Sequence, residues 1–358
     1  MQKSAHMTNT DVLTSQSVAP RLWLSPLIAA LCYPLFLRAC FGSMQLFVVS
    51  QDGLDRVGAI VSFVASLIAA FAVPLTAALC AGRIARLPLH SPRTVPAYRL
   101  AHLAFAAPPL FTALGVITGI LGIGALDFPI WVLLWLAVGL YCKLSATHEP
   151  QVEVRPPGPR LVGFHGVLAL TVLLIFLVAH LVNHLFGLWN PAMHGRVMQV
   201  LEVFYRASVV EPALVLCMLL LIVTGLTLAW RHTAMQGDAY RRVQTLTGVY
   251  LAAFILSHMT AVFVYARWQL HIRTDWAYAS GAPAGLLSDA FNVRLIPHYA
   301  MAVWAVLTHV GLGLRGVLRA HGVAERRANF WAKGMSAVGA IVSILITLGL
   351  IGVHLRGS

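Results

Sequence analysis

The chain has 358 residues, 59% of them apolar and only 10% charged, with 25 Lys and Arg against 12 Asp and Glu. A water-soluble protein of this length needs more polar side chains to cover its surface, so the composition excludes a soluble globular enzyme and makes lipid the solvent for most of the chain. The net charge of +13 is spread between apolar runs and forms no single patch, which reads as membrane topology and gives no nucleic-acid partner.

Residues 1–19 are polar and Ser/Thr-rich, with no apolar core before a small-residue cleavage site. They are expected to form a disordered cytoplasmic tail without a signal peptide. A spanning helix needs roughly 20 mostly apolar residues. Runs at 22–49, 57–81, 100–123, 128–146, 162–189, 209–230, 243–267, 295–318 and 334–355 meet that requirement. The expected fold class is all-α, a polytopic membrane helical bundle of about nine transmembrane helices.

Lys and Arg are retained on the cytoplasmic side of a membrane. With the N-terminus inside, 17 of them fall on inner segments and 7 on outer ones, which supports nine spans in the cell inner membrane with a cytoplasmic N-terminus. The inner stretch THEPQVEVRPPGPR, 147–160, contains a Pro-Pro-Gly-Pro run that cannot continue a helix. It divides the chain into a four-helix N-terminal membrane part (20–148), a Pro-rich linker (149–160) and a five-helix C-terminal part (161–358).

The N-terminal part offers little chemistry. Arg38 lies in the first span, which also holds Pro34, and has no evident partner. His102, near the inner interface beside Pro108 and Pro109, reads as structural. Cys32, Cys40, Cys80, Cys142 and Cys217 form no CxxC or CxxCH pattern, so covalent c-type haem and zinc are unsupported and the five read as small apolar residues. In the sixth span, Glu211-Pro212 reads as first-turn helix chemistry. Phosphate loops, nucleophile elbows and paired-carboxylate sites are missing from the sequence, so no hydrolytic or nucleotide chemistry is expected.

Ionisable side chains within a span are costly, and each is a functional hypothesis. His180, His258 and His309 stand out. Phe176-x3-His180 in the fifth span and Phe254-x3-His258 in the seventh repeat one pattern on two helices that run in the same direction. Both histidines fall slightly past mid-membrane toward the outer face. Two imidazoles at one depth on different helices can supply both axial bonds of one haem iron, in a close-packed apolar pocket. The alternative is that each histidine hydrogen-bonds across the bundle as a packing residue. His184 lies one turn beyond His180 on the same face. With Asn183, His271, Asp275, Trp276, Asp289, Arg294 and His298 it forms an outer group that reads either as a quinone and proton site or as an ordinary interfacial belt.

Further motifs sharpen the haem reading. The fifth span opens Phe164-His165-Gly166, the seventh opens Gln244-x2-Thr247-Gly248, and the eighth ends His309-x3-Gly313-Leu314-Arg315. In this order, residues from about 160 to 318 resemble the membrane-anchor cytochrome b subunit of succinate dehydrogenases and fumarate reductases, particularly its single-chain, five-helix, two-haem form.

The resemblance implies that His180 and His258 ligate the haem farther from the cytoplasmic flavin and iron–sulfur subunits, and that His309 matches one ligand of the nearer haem. The expected partner of His309, four residues before Gly225, is Leu221, which cannot ligate iron. One haem b is therefore expected, with His309 a structural remnant or a polar lining residue. His165 matches an inner-side histidine to which no role is assigned.

Two functions follow from these readings. One is a membrane cytochrome b-like protein, a membrane subunit of a quinone-linked oxidoreductase. Its single bis-His b haem carries electrons between a quinone pool and a peripheral flavin/iron–sulfur partner docked near Arg231, Arg241, Arg242, Arg315 and Arg319. The other is a haem-free polytopic protein, a transporter or an assembly factor, built on a cytochrome-like bundle. The four extra N-terminal spans and the ninth span depart from the resembled family, and no function is read for the first four.

Overall fold

The computed structural model describes residues 20–87, 94–145 and 155–356. The expected N-terminal tail and the first part of the linker lie outside these residues. Every regular element described is helical. The chain runs through α1 (Pro20–Val49), α2 (Gly53–Ile84), α3 (Thr94–Phe105), α4 (Ala107–Ile120), α5 (Asp127–Ser145), α6 (Pro159–Val172) and α7 (Val178–Trp189). It continues through α8 (Pro191–Tyr205), α9 (Val210–His232), α10 (Ala239–Met259), α11 (Trp276–Ala279), α12 (Leu295–Ala320) and α13 (Glu325–Leu350). A π-helical segment, Leu173–Leu177, joins α6 to α7, and a second, Thr260–Gln269, extends α10.

Eight continuous helical runs are long and apolar enough to cross a membrane. The stretch expected to form a single third span is instead the pair α3 and α4, bent by 67°. Pro108 and Pro109 lie in the first turn of α4, where a missing N–H costs nothing, while their rings bar α3 from continuing. The pair still crosses the bundle. At one end Arg99 donates to the Trp230 carbonyl and the Thr233 hydroxyl, where α9 finishes. At the other, Gln269 donates to the Ile120 carbonyl and Gly119 lies against Tyr265. With the bent pair counted as one broken span, the described residues make up to nine crossings. The two faces of the bundle are called the Arg242 end, where Pro20 begins α1, and the Trp276 end, where α13 finishes.

Side chains such as Val61, Ile68, Leu133, Leu174, Leu216 and Val223 stay exposed on these helices. Apolar surface of this kind along several spans belongs in a bilayer, and the chain is an all-α, multi-pass membrane bundle. Helices suit a lipid solvent, because each bonds its own backbone polar groups along its length.

Packing places α1 and α2 as a hairpin against α3, while α3 and α4 rest on α10. In the C-terminal part α6 packs on α9, α9 on α10, α10 on α12, α12 on α13 and α13 on α7, which closes five spans into a ring. One buried core runs through both parts: Tyr33 and Phe105 come from the first, Tyr250, Ile296 and Ile346 from the second. Arg38 has a partner that the sequence did not disclose, the Phe128 ring at 5.8 Å. Glu211 does sit in the first turn of α9, and it also pairs with both Arg267 nitrogens at 2.5 and 3.1 Å. The five cysteines are free, each buried or half-buried.

Candidate functional site

The repeated Phe-x3-His pattern has a local cause. On an α-helix residues four apart share a face, so Phe176 stacks on His180 with ring centroids 4.8 Å apart and planes at 23°. Phe254 stacks on His258 at 5.4 Å and 10°. Each phenyl ring limits the rotation of its imidazole. Both histidines also sit beside a π-helical segment, which ends just before α7 in one span and begins just after α10 in the other. Such segments widen the helix and re-aim the side chains near them.

The two imidazoles face each other, with centroids 6.3 Å apart. Two imidazole nitrogens bound to one iron at about 2 Å each put their ring centroids roughly 6 Å apart. The spacing therefore fits an axial pair. Neither ring has a hydrogen-bond partner among the described residues. The helices that carry them are not closely packed on each other, since α7 rests on α8 and α13 while α10 rests on α9, α12 and α4. Two stacked, half-buried imidazoles with free nitrogens, in apolar surroundings, are a donor set that b haem uses.

From His180 the histidines continue toward the Trp276 end. His184 lies 4.8 Å from His180, and His194 of α8 lies 5.3 Å from His184. His194 was missed in the sequence because it falls between spans, where a search limited to apolar runs does not look. Asn183 reaches His194 through its amide nitrogen at 3.2 Å, and Trp276 packs on His194 at 4.8 Å. His354 accompanies them, 6.2 Å from Trp276 and bonded to the Gly187 carbonyl at 2.9 Å. Three buried polar atoms in this group lack partners: Asn183 Oδ1, His184 Nδ1 and His194 Nδ1.

The other residues expected in the outer group have separate tasks. Asp275 caps α11, and Asp289 accepts from the backbone of Phe291 and Asn292. Arg294 is sequestered by Asp127 at 2.9 Å. His298 packs on Phe254 at 4.6 Å and on Tyr299 at 5.2 Å. His271 stands exposed at a φ of 53°.

His309 is not part of this set. It faces His165 near the Arg242 end, with centroids 6.5 Å apart. His102, which read as structural, bonds the Tyr98 carbonyl at 2.8 Å inside the helix core.

Burial pushes His194 down to about 4 although Asp275 pulls the other way, so the ring is neutral at pH 7. A buried neutral histidine binds its proton later than the unfolded chain does. Stability is then fully present above the ordinary histidine pKa of about 6.5 and declines as pH falls toward 4. The detergent-solubilised protein is expected to melt at progressively lower temperature from pH 6.5 to 4, and His194→Asn is expected to flatten that decline. An unchanged slope in the variant would assign the loss elsewhere.

Comparison with known proteins gives no match for this chain among protein-family models, curated proteins or solved structures.

Proposed function

We propose that the protein is a membrane cytochrome b-like electron carrier in which His180 and His258 are the axial ligands of a b haem. The observation that carries this reading is the facing pair of Phe-stacked imidazoles at 6.3 Å, on two spans that are otherwise held apart. Haem supplies a one-electron couple in the interior of the bilayer. The chain's residues fix the ring planes through Phe176 and Phe254, limit water, and set the potential by burial.

The Trp276 end supports a quinone in this reading. Asn183, His184 and His194 offer buried hydrogen-bonding atoms with no protein partner, and quinone carbonyls take such groups inside an apolar site. A proton accompanying quinone chemistry has His184 and His194 as successive carriers toward the surface. The excess of basic loops supports a reading in which the Arg242 end and the N-terminus face the cytoplasm across the inner membrane. A peripheral flavin or iron–sulfur partner would dock there against Arg231, Arg241, Arg242, Arg315 and Arg319.

The competing reading, a haem-free transporter, draws on the broken third span, because broken helices surround substrate sites in transporters. Here the break is filled by Phe105, Ala106, Ala107 and the two prolines, all buried, which suits a packed joint better than a substrate site.

Purified protein should give a b-type reduced-minus-oxidised spectrum and a positive pyridine haemochrome assay. His180→Ala and His258→Ala should each lose the haem of this pair. Well-folded protein without haem would overturn the reading.

A further inference from the structure

His165 and His309 form a second facing pair in the same ring of spans, and the sequence leaves His165 without a task. Hydrogen bonding settles the tautomer of each ring. Thr224 gives its hydroxyl proton to the Leu220 carbonyl at 2.6 Å, so at 2.8 Å it accepts from His165 Nδ1. His309 Nδ1 lies 3.1 Å from the Gln244 carbonyl, which can only accept. Thr247, 3.2 Å from the same nitrogen, is already committed to the Val243 carbonyl at 2.8 Å.

Both rings are thus held as Nδ1–H tautomers, and on each the lone pair falls on Nε2. Among the described residues neither Nε2 has a hydrogen-bond partner. Nδ1–H bonded to a carbonyl or hydroxyl, with Nε2 left bare, is how proteins orient an imidazole toward a metal. Two lone-pair nitrogens cannot hydrogen-bond each other, yet the rings stand 6.5 Å apart, close to the 6.3 Å of the His180–His258 pair.

Two glycines keep side chains away from these rings. A Cβ at Gly225 would come within 3.3 Å of His165 Cε1, and one at Gly248 within 3.1 Å of His309 Cε1. Cε1 lies between the two ring nitrogens, and the Cβ at Gly248 would also lie 3.6 Å from His309 Nδ1, so the bare backbones let the helices close on the rings and hold them in place. At the Arg242 end, Gln244 also lines a pocket of about 260 Å³ together with His232, Arg241 and Arg315. Asp238 shares that mouth and pairs with Arg315 at 3.2 Å, which leaves Arg241, beside His232, as the guanidinium that suits a haem carboxylate.

From these observations we infer that His165 and His309 are the axial ligands of a second b haem, His165 serving where Leu221 cannot. The inference rests on the haem reading of the bundle and adds a ligand set that the resembled family does not use. Full-length protein in detergent, assayed by pyridine haemochrome and by redox titration of the visible band, should hold two haems per chain with two resolved potentials.

His165→Ala should halve the haem content and remove one potential, whereas His165→Met should keep two haems and raise the potential of one, because a thioether ligand favours the reduced iron. One haem per chain, unaltered by either His165 variant and lost in His180→Ala, would overturn this inference and leave the first site standing. Folded protein with no haem would overturn both.

Discussion

Asp127→Ala is expected to destabilise the protein more than any single change on its surface, by about 3–5 kcal/mol, because it strands a buried cation. Arg294 is only 7% exposed, and its guanidinium lies between the Phe111 and Phe291 rings, 4.4 Å from each. Its charge is answered by Asp127 at 2.9 Å, and its Nε donates to the Phe291 carbonyl at 3.1 Å. Gly115 makes room for it, since a Cβ there would stand 2.2 Å from Nη1. Asp127 opens α5 and Arg294 precedes α12, so the pair joins the N-terminal helices to the C-terminal ring.

Removing both charges together, as Asp127→Ala with Arg294→Met, should recover most of the loss, because a buried pair replaced by apolar groups of similar size is close to neutral. Thermal unfolding of the three proteins in one detergent checks this. A double variant as unstable as Asp127→Ala would show that the ion pair contributes beyond mutual neutralisation.

Gly187→Ala is expected to be nearly as severe, at about 2–3 kcal/mol, through overpacking. A Cβ at Gly187 would fall 1.9 Å from the Trp276 ring, which is itself only 7% exposed. The indole has to leave its place, and with it go its contacts to His194 and His354. Gly195→Ala in α8 is the control: nothing lies within 4 Å of its Cβ position, and alanine is the better helix former. It should leave stability unchanged or slightly raised. Equal losses in both variants would mean that the overpacking argument is wrong.

How much of this was legible in the sequence varies with the kind of information. Hydropathy located the spans because a lipid solvent leaves few polar residues inside them, and the positions of His180 and His258 along their spans already suggested one depth. The Phe-x3-His repeat was visible too, although its meaning, a ring stacked one turn away, needed coordinates. The bend between α3 and α4 was hidden from a hydropathy window, which sums apolarity and has no sense of direction; Pro108 and Pro109 were its only trace.

The His165–His309 contact was out of reach for a different reason. Sequence gives depth along a span but not which spans are neighbours, and ring closure through α13 and α9 decides that. His194 was overlooked because it lies outside the apolar runs that framed the search, and His354 because it stands at the very end of the ninth run.

The π-helical segment Leu173–Leu177 lies between His165 and His180 on a single span. Each residue of an α-helix advances the chain by about 100° around the axis and 1.5 Å along it. A π-turn takes up one residue more than an α-turn, so if 173–177 relaxed to ordinary α-geometry with every residue kept, all that lies beyond would turn by about that angle, and His180 and His184 would leave the faces they share with His258 and His194. His165 and the turns before the segment would keep their places. Spacing between the two histidines of this span is therefore a phase setting.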